Sequence, residues 1–378
     1  MAQRIRNMTE GSPVRLLISF ALPLMAGNVF QQLYTVVDTA VVGQVVGVKA
    51  LAAVGAADWL NWMVLGIVQG LTQGFSILMA QYFGAGDHRE LSRSVGASLT
   101  LCAVSSALIL LLSQLSAGPV LRLLNTPDDI FGDSLLYLRI IFAGVPVITA
   151  YNFLAAILRA LGDSKTPFWF LLFATVLNVL LDLVCILILD WGVFGAGIAT
   201  VISQGVSALL CYFYMFRHFQ ILKPVGEERR FQGALARKLL KIGLPMGLQF
   251  SITAIGSIML QSANNALGTA CVAAFTSAVR IKMFFLCPLE SLGIAMATYS
   301  GQNYGAGKPR RILEGIKASV FIMLLYTALT FIILLSSSRL LALLFVDPAE
   351  TEILKNTELF LHVAACFFPA LGLLCILR

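Results

Sequence analysis

Apolar residues in this chain come in long runs, broken by short polar stretches. A helix needs about 20 such residues to cross a bilayer. Ten runs are long enough: roughly 14–42, 53–82, 94–115, 132–158, 167–189, 193–216, 238–266, 270–298, 313–335 and 358–377. Several outrun the bilayer thickness, which predicts tilt, kinks or extension beyond it. The expected fold class is an all-α polytopic membrane protein. The first run, PVRLLISFALPLMAGNVFQQLYTVVDTAVVG, carries a proline, Pro23, and a lone carboxylate, Asp38. A charge at the centre of a membrane helix costs roughly 2.5–3.5 kcal/mol. Asp38 is therefore expected to face a polar cavity and bind something there, with Pro23 letting the helix bend.

Composition points the same way, with 58% hydrophobic and only 12% charged residues, where a soluble domain carries about 25% charge. A net charge of +7 could suggest nucleic acid, but no aromatic-interleaved basic patch of the single-strand-binding kind is present. The basic residues sit between the apolar runs. Most of the 26 lysines and arginines fall on the side that holds the N-terminus, which by the positive-inside rule is cytoplasmic. The apolar stretch after the basic N-terminal head is too long for a signal-peptide core and has no convincing cleavage site. The seven cysteines stand singly in or beside apolar runs and read as packing residues, without disulfide or zinc spacing.

The charged stretch 217–237 reads as a cytoplasmic linker between an N-lobe, 1–216, and a C-lobe, 238–378. An internal repeat supports the boundary. Gln81-Tyr82-Phe83-Gly84-Ala85-Gly86 returns as Gln302-Asn303-Tyr304-Gly305-Ala306-Gly307, and Leu22-Pro23-Leu24 as Leu244-Pro245-Met246. Both pairs are separated by about 221 residues, and both halves begin on the same side, so the expected architecture is a parallel repeat of two lobes. The first half holds six runs and the second four, which predicts that the sequence lacks two helices at its C-terminal end.

Three sets of residues are candidates for chemistry. Gln31, Tyr34 and Asp38 share one face of the first run by their spacing. Asn178 and Asp182, at i and i+4, share a face of the fifth, and Thr200 in the sixth could reach the same pocket. Two carboxylates in a poorly hydrated pocket cannot both stay ionised cheaply, so the group suits a proton or a hard cation such as sodium. Glu290, two residues after Pro288, either lines a cavity of the second lobe or pairs with Lys282 or Arg280. The GAG turns read as helix stops with glycine caps. There is no Walker pattern, so transport would draw on an ion gradient. No nucleophile or metal motif is present, so a lipid enzyme is a poor fit, no metal beyond possible sodium is expected, and no cofactor other than the coupling ion.

These motifs together resemble the MATE family, the multidrug and toxic compound extrusion transporters, in a bacterial form. The resemblance rests on Pro23…Gln31-Gln32-Leu33-Tyr34…Val37-Asp38-Thr39, the two GAG copies, Leu158-Arg159-Ala160-Leu161-Gly162-Asp163, and Asn178…Asp182. It implies twelve helices in two six-helix lobes that open alternately to each side. It implies an exporter of lipophilic cations in exchange for protons or sodium, in the bacterial cytoplasmic membrane and acting as a monomer. By the same resemblance Asp38, Asn178, Asp182 and Thr200 form the cation site, Gln31 and Tyr34 line the cavity, and Pro23 is the hinge. The seventh run lacks the carboxylate some members carry, unless Glu290 takes that role. A flippase for lipid-linked saccharides is the alternative; acidic rather than basic intramembrane charges in the first lobe argue for a cationic cargo.

Overall fold

The computed structural model describes residues 7–41, 45–124, 126–222, 232–265 and 267–378; the side chains at 34, 36–41 and a few other helical positions fall outside the described set. Among the described residues the chain is helical throughout. The helices are α1 (Pro13–Val41), α2 (Val48–Gly84), α3 (His88–Leu123), α4 (Asp128–Ala143), α5 (Val145–Ala160), α6 (Lys165–Leu183), α7 (Gly192–His218), α8 (Gly233–Asn265), α9 (Thr269–Gly305), α10 (Pro309–Ala342) and α11 (Thr351–Leu377). Among the described residues, nine are individually long and apolar enough to cross a membrane, and α4 with α5 meet the same measure only as a pair, bent by 47° at their junction.

That bend refines the expected span 132–158. Pro146 has no N–H to offer the carbonyl one turn before it, and its ring crowds that turn. Gly144 joins the two pieces: its N–H reaches the carbonyls of Ile140 and Ile141, and its own carbonyl accepts from Ile148 at 3.0 Å. A Cβ built on Gly144 would lie 2.5 Å from Val201 of α7, so the notch at the bend is filled by a neighbour's side chain. Pro23, Pro245, Pro288 and Pro369 sit inside unbroken helices. Proline alone therefore does not break a span here.

The repeat is visible in the helices themselves. Both α2 and α9 have 37 residues. Each starts after a positive-φ glycine, Gly47 (φ 112°) and Gly268 (φ 95°), and ends at another, Gly86 (72°) and Gly307 (68°). Each end closes in the same way. Gly86 N–H bonds the Phe83 carbonyl and Asp87 N–H that of Tyr82; Gly307 and Lys308 do the same with Tyr304 and Asn303. This pair of bonds caps a helix through a left-handed residue, which glycine adopts without a Cβ penalty.

The helices gather into two compact units that interleave along the chain. One is built on Leu33–Ala254, the other on Met8–Gln32 with Ile255–Arg378. In the first, α2 carries Gly66, Gly70 and Gly74 one turn apart. A Cβ at Gly70 would lie 2.6 Å from the Gly247 Cα, and one at Gly74 2.5 Å from the Gly243 Cα. Small residues let the α2 and α8 backbones touch, as membrane helices require when lipid offers no hydrophobic drive. In the second unit, Leu17, Phe20 and Leu24 of α1 are buried in one cluster with Leu289, Met296 and Tyr299 of α9 and Phe368 of α11.

Candidate functional site

Helix α6 is apolar almost throughout, yet its amide and carboxylate, Asn178 and Asp182, point away from its exposed face. Trp169, Phe173, Val176, Leu180 and Leu187 are exposed on one side, while Ala174, Asn178 and Asp182 are buried on the other. Asn178 is 3% and Asp182 1% exposed. Asp163 starts the helix: its carboxylate accepts from the Lys165 and Thr166 N–H groups and from Thr166 Oγ1 at 2.6 Å. Straight after Asp182 the helix widens into a π-helical turn, Val184–Ile188. Such turns recur at functional sites because they re-aim neighbouring side chains.

Helix α7 returns antiparallel through a tight connection in which Asp190 and Gly192 both take φ 53°. Two contacts set the register. A Cβ on Gly195 would fall 2.9 Å from Cys185 Cβ, and Ser207 Oγ donates to the Phe170 carbonyl at 2.8 Å. Between these pins, Thr200 falls at the level of Asn178, with Asp182 one turn nearer the connection. Thr200 Oγ1 donates to the Ala196 carbonyl at 3.1 Å. The opposite edge of α7 packs on the bent pair: Gly197 meets Ile140 and Gly205 meets Val147.

Asn178, Asp182 and Thr200 all lie within the first unit, on neighbouring helices. The side chains of Tyr34 and Asp38 lie outside the described residues. Pro23, Gln31 and Glu290 belong to the second unit. There Asn28 Nδ2 donates to Ser291 Oγ at 3.2 Å, docking α1 beside Glu290. Glu290 is exposed and forms no salt bridge with Arg280 or Lys282 among the described residues. The described residues also contain no cluster of three His, Cys, Asp or Glu fit for a metal.

Two features escaped the sequence reading. The first is Gln204, one turn beyond Thr200 on α7, whose Oε1 is buried. The second is a clamp at the second GAG copy. Gln302 and Asn303 are both 0% exposed. Gln302 Oε1 accepts from Met8 N–H at 2.9 Å, and Asn303 Nδ2 donates to the Met8 carbonyl at 3.1 Å. Lys308 Nζ reaches the Thr9 carbonyl and Arg311 Nη2 that of Gly11. The signal was a departure from the repeat: where the second copy has Asn303, Lys308 and Arg311, the first has Tyr82, Asp87 and Glu90.

The sequence model of the MatE family matches residues 23–184 and 245–378. The chain belongs to the MatE family. It is 30% identical over 370 residues to the probable multidrug resistance protein YpnP of Bacillus subtilis, covering 97% of this chain and 81% of that one. It is 25% identical over 346 residues to the probable multidrug resistance protein NorM of Thermotoga maritima, covering 90% and 74%. The fold matches the outward-facing conformation of a multidrug resistance MATE family transporter of the MOP superfamily, with TM-score 0.91, 23% identity, and coverage of 98% and 82%. This MatE chain is therefore a polytopic membrane transporter and not an enzyme, with probable multidrug resistance proteins among its relatives.

Proposed function

We propose that this MatE chain is a secondary active exporter that moves lipophilic cations outward in exchange for protons or sodium. The observation that carries the reading is the buried Asn178–Asp182 pair on a lipid-embedded helix. A carboxylate in that setting is expensive and is kept for a charge it binds. The names of the relatives support drug-like cargo, and the acidic character of the site supports a cationic one.

In this mechanism the coupling cation binds at Asp182 with Asn178 and Thr200, and Asp38 of α1 joins them. Gln31 and Tyr34 face the substrate, Glu290 lines the cavity of the second lobe, and α1 bends near Pro23 as the cation loads. Loading the cation makes the cavity unfavourable for a second cation, so the drug leaves. The lobes 1–216 and 238–378, joined through 217–237, then rock to release the coupling ion inward. The N-terminus lies in the cytoplasm, the membrane is the bacterial inner one, and the working unit is a monomer.

Ethidium efflux from cells expressing the chain tests this. Expression is expected to lower ethidium accumulation, and Asp38→Asn to abolish that effect at equal membrane abundance. Full export by Asp38→Asn would sink the mechanism. No effect of the wild-type chain on ethidium or any other lipophilic cation would shift the reading to a lipid-linked cargo.

A further inference from the structure

Polar side chains on the paired faces of α6 and α7 fall into two sets. The hydroxyls turn to backbone acceptors: Thr200 Oγ1 to Ala196, Ser203 Oγ to Ala199 at 2.8 Å, and Ser207 Oγ to Phe170 across the helix pair. The amides do not. Both ends of the Asn178 amide and Oε1 of Gln204 are buried with no hydrogen-bond partner among the described residues. A buried polar atom left in this state costs about 1–3 kcal/mol, and hydrocarbon offers nothing to relieve it. Two such amide oxygens on the side of the unit that buries a carboxylate call for a shared guest.

Their placement agrees. Gln204 follows Thr200 by one turn, so both lie on one face of α7. That face is opposite Ile202, Leu209 and Phe213, which are exposed. Gln204 stands at the corner between two contacts of α7: Ser207 touches α6, and Gly205 meets Val147 of α5. This corner is the interior of the unit, the side on which α6 buries Asn178 and Asp182.

We infer that Gln204 is an oxygen ligand of the cation held at Asn178–Asp182, and that it fits the site to a dehydrated sodium ion. The inference rests on the cation site proposed above. A proton needs one acceptor, which a carboxylate supplies. A hard metal cation needs several oxygens to replace its hydration shell. Asp182 contributes charge, while Thr200 Oγ1, Asn178 Oδ1 and Gln204 Oε1 contribute neutral oxygens. Gln204 thus separates sodium binding from proton binding.

The test measures thermal stability of the purified chain in lipid nanodiscs against sodium chloride, with choline chloride holding ionic strength. Wild type is expected to gain stability with sodium. Gln204→Met keeps the length and removes the oxygen; it should need at least tenfold more sodium, about 1.4 kcal/mol of binding. Gln204→Glu restores an oxygen and should bind sodium at least as well as wild type. Unchanged melting in choline reports that each variant is folded. An unaltered sodium dependence in Gln204→Met overturns the inference, as does a wild type that responds equally to choline. Asp182→Asn separates the two levels of failure. If it abolishes the sodium response while Gln204→Met keeps it, only the role of Gln204 falls; if Asp182→Asn also keeps it, the cation site falls too.

Discussion

Replacing Asn303 with alanine should release the segment that leads into α1. The amide of Asn303 donates to the Met8 carbonyl at 3.1 Å and to the Tyr299 carbonyl at 2.8 Å, and its Oδ1 accepts from Arg311 Nε at 3.1 Å. The Tyr299 carbonyl lies in the ladder of α9, so losing that bond costs little. The Met8 carbonyl sits in a buried setting, with Met8 itself 0% exposed, and an orphaned buried acceptor costs about 1–3 kcal/mol. The bond from Arg311 is charge-assisted and is worth about 1.5–3 kcal/mol. Since Arg311 also holds the Gly11 carbonyl at 2.9 Å, loosening its guanidinium weakens a second tie. The sum is about 2.5–6 kcal/mol, a large part of the 5–15 kcal/mol that usually separates folded from unfolded. Hydrogen–deuterium exchange in nanodiscs reads the effect locally, since the Met8 N–H is held by Gln302 Oε1. Amides of residues 8–11 should exchange at least tenfold faster in Asn303→Ala, and global melting should fall. Asn303→Asp, which keeps the acceptor for Arg311, should be intermediate. Unchanged exchange at residues 8–11 in Asn303→Ala would refute the clamp.

Two further predictions concern packing and capping. Gly70→Leu would drive a side chain into the α8 backbone, since even a Cβ falls 2.6 Å from the Gly247 Cα; overpacking of this kind costs about 1–3 kcal/mol or more, read as a lower melting temperature in detergent, and an unchanged melting temperature would contradict the close approach. Asp163→Ala removes the side chain that caps α6 through Lys165 and Thr166 N–H. A loss of about 0.5–2 kcal/mol is expected, and wild-type stability by the same assay would show the cap to be idle.

The apolar runs were enough to place the spans, because length and hydropathy decide membrane crossing before any packing does. The ends of some were read short. Helix α10 runs over Pro309–Ala342 where the apolar stretch is roughly 313–335, because charged ends project past the apolar core at no cost. The break in α4–α5 was not legible, since Pro146 looks no different in sequence from Pro23 or Pro245. Val201 entering the notch at Gly144 decides it, and that is a tertiary fact. The sharing of α1 and α8 between compact units was also hidden, because an apolar helix does not announce which neighbours it joins. Asn178 and Asp182 stood out as paired polar residues in an otherwise apolar run. Gln204 did not, since what singles it out is a buried oxygen without a hydrogen-bond partner among the described residues. The clamp was not legible because Lys308 and Arg311 bind backbone carbonyls, which no motif records.

The most direct test of the account is ion movement driven by substrate. Everted membrane vesicles containing the chain would receive ethidium while pH and sodium are followed together, for wild type and for Asp182→Asn at equal membrane abundance. The account predicts counter-movement of protons or sodium on ethidium addition in wild type and none in Asp182→Asn. An equal ion response in both, or ethidium transport by wild type with no movement of either ion, would contradict it.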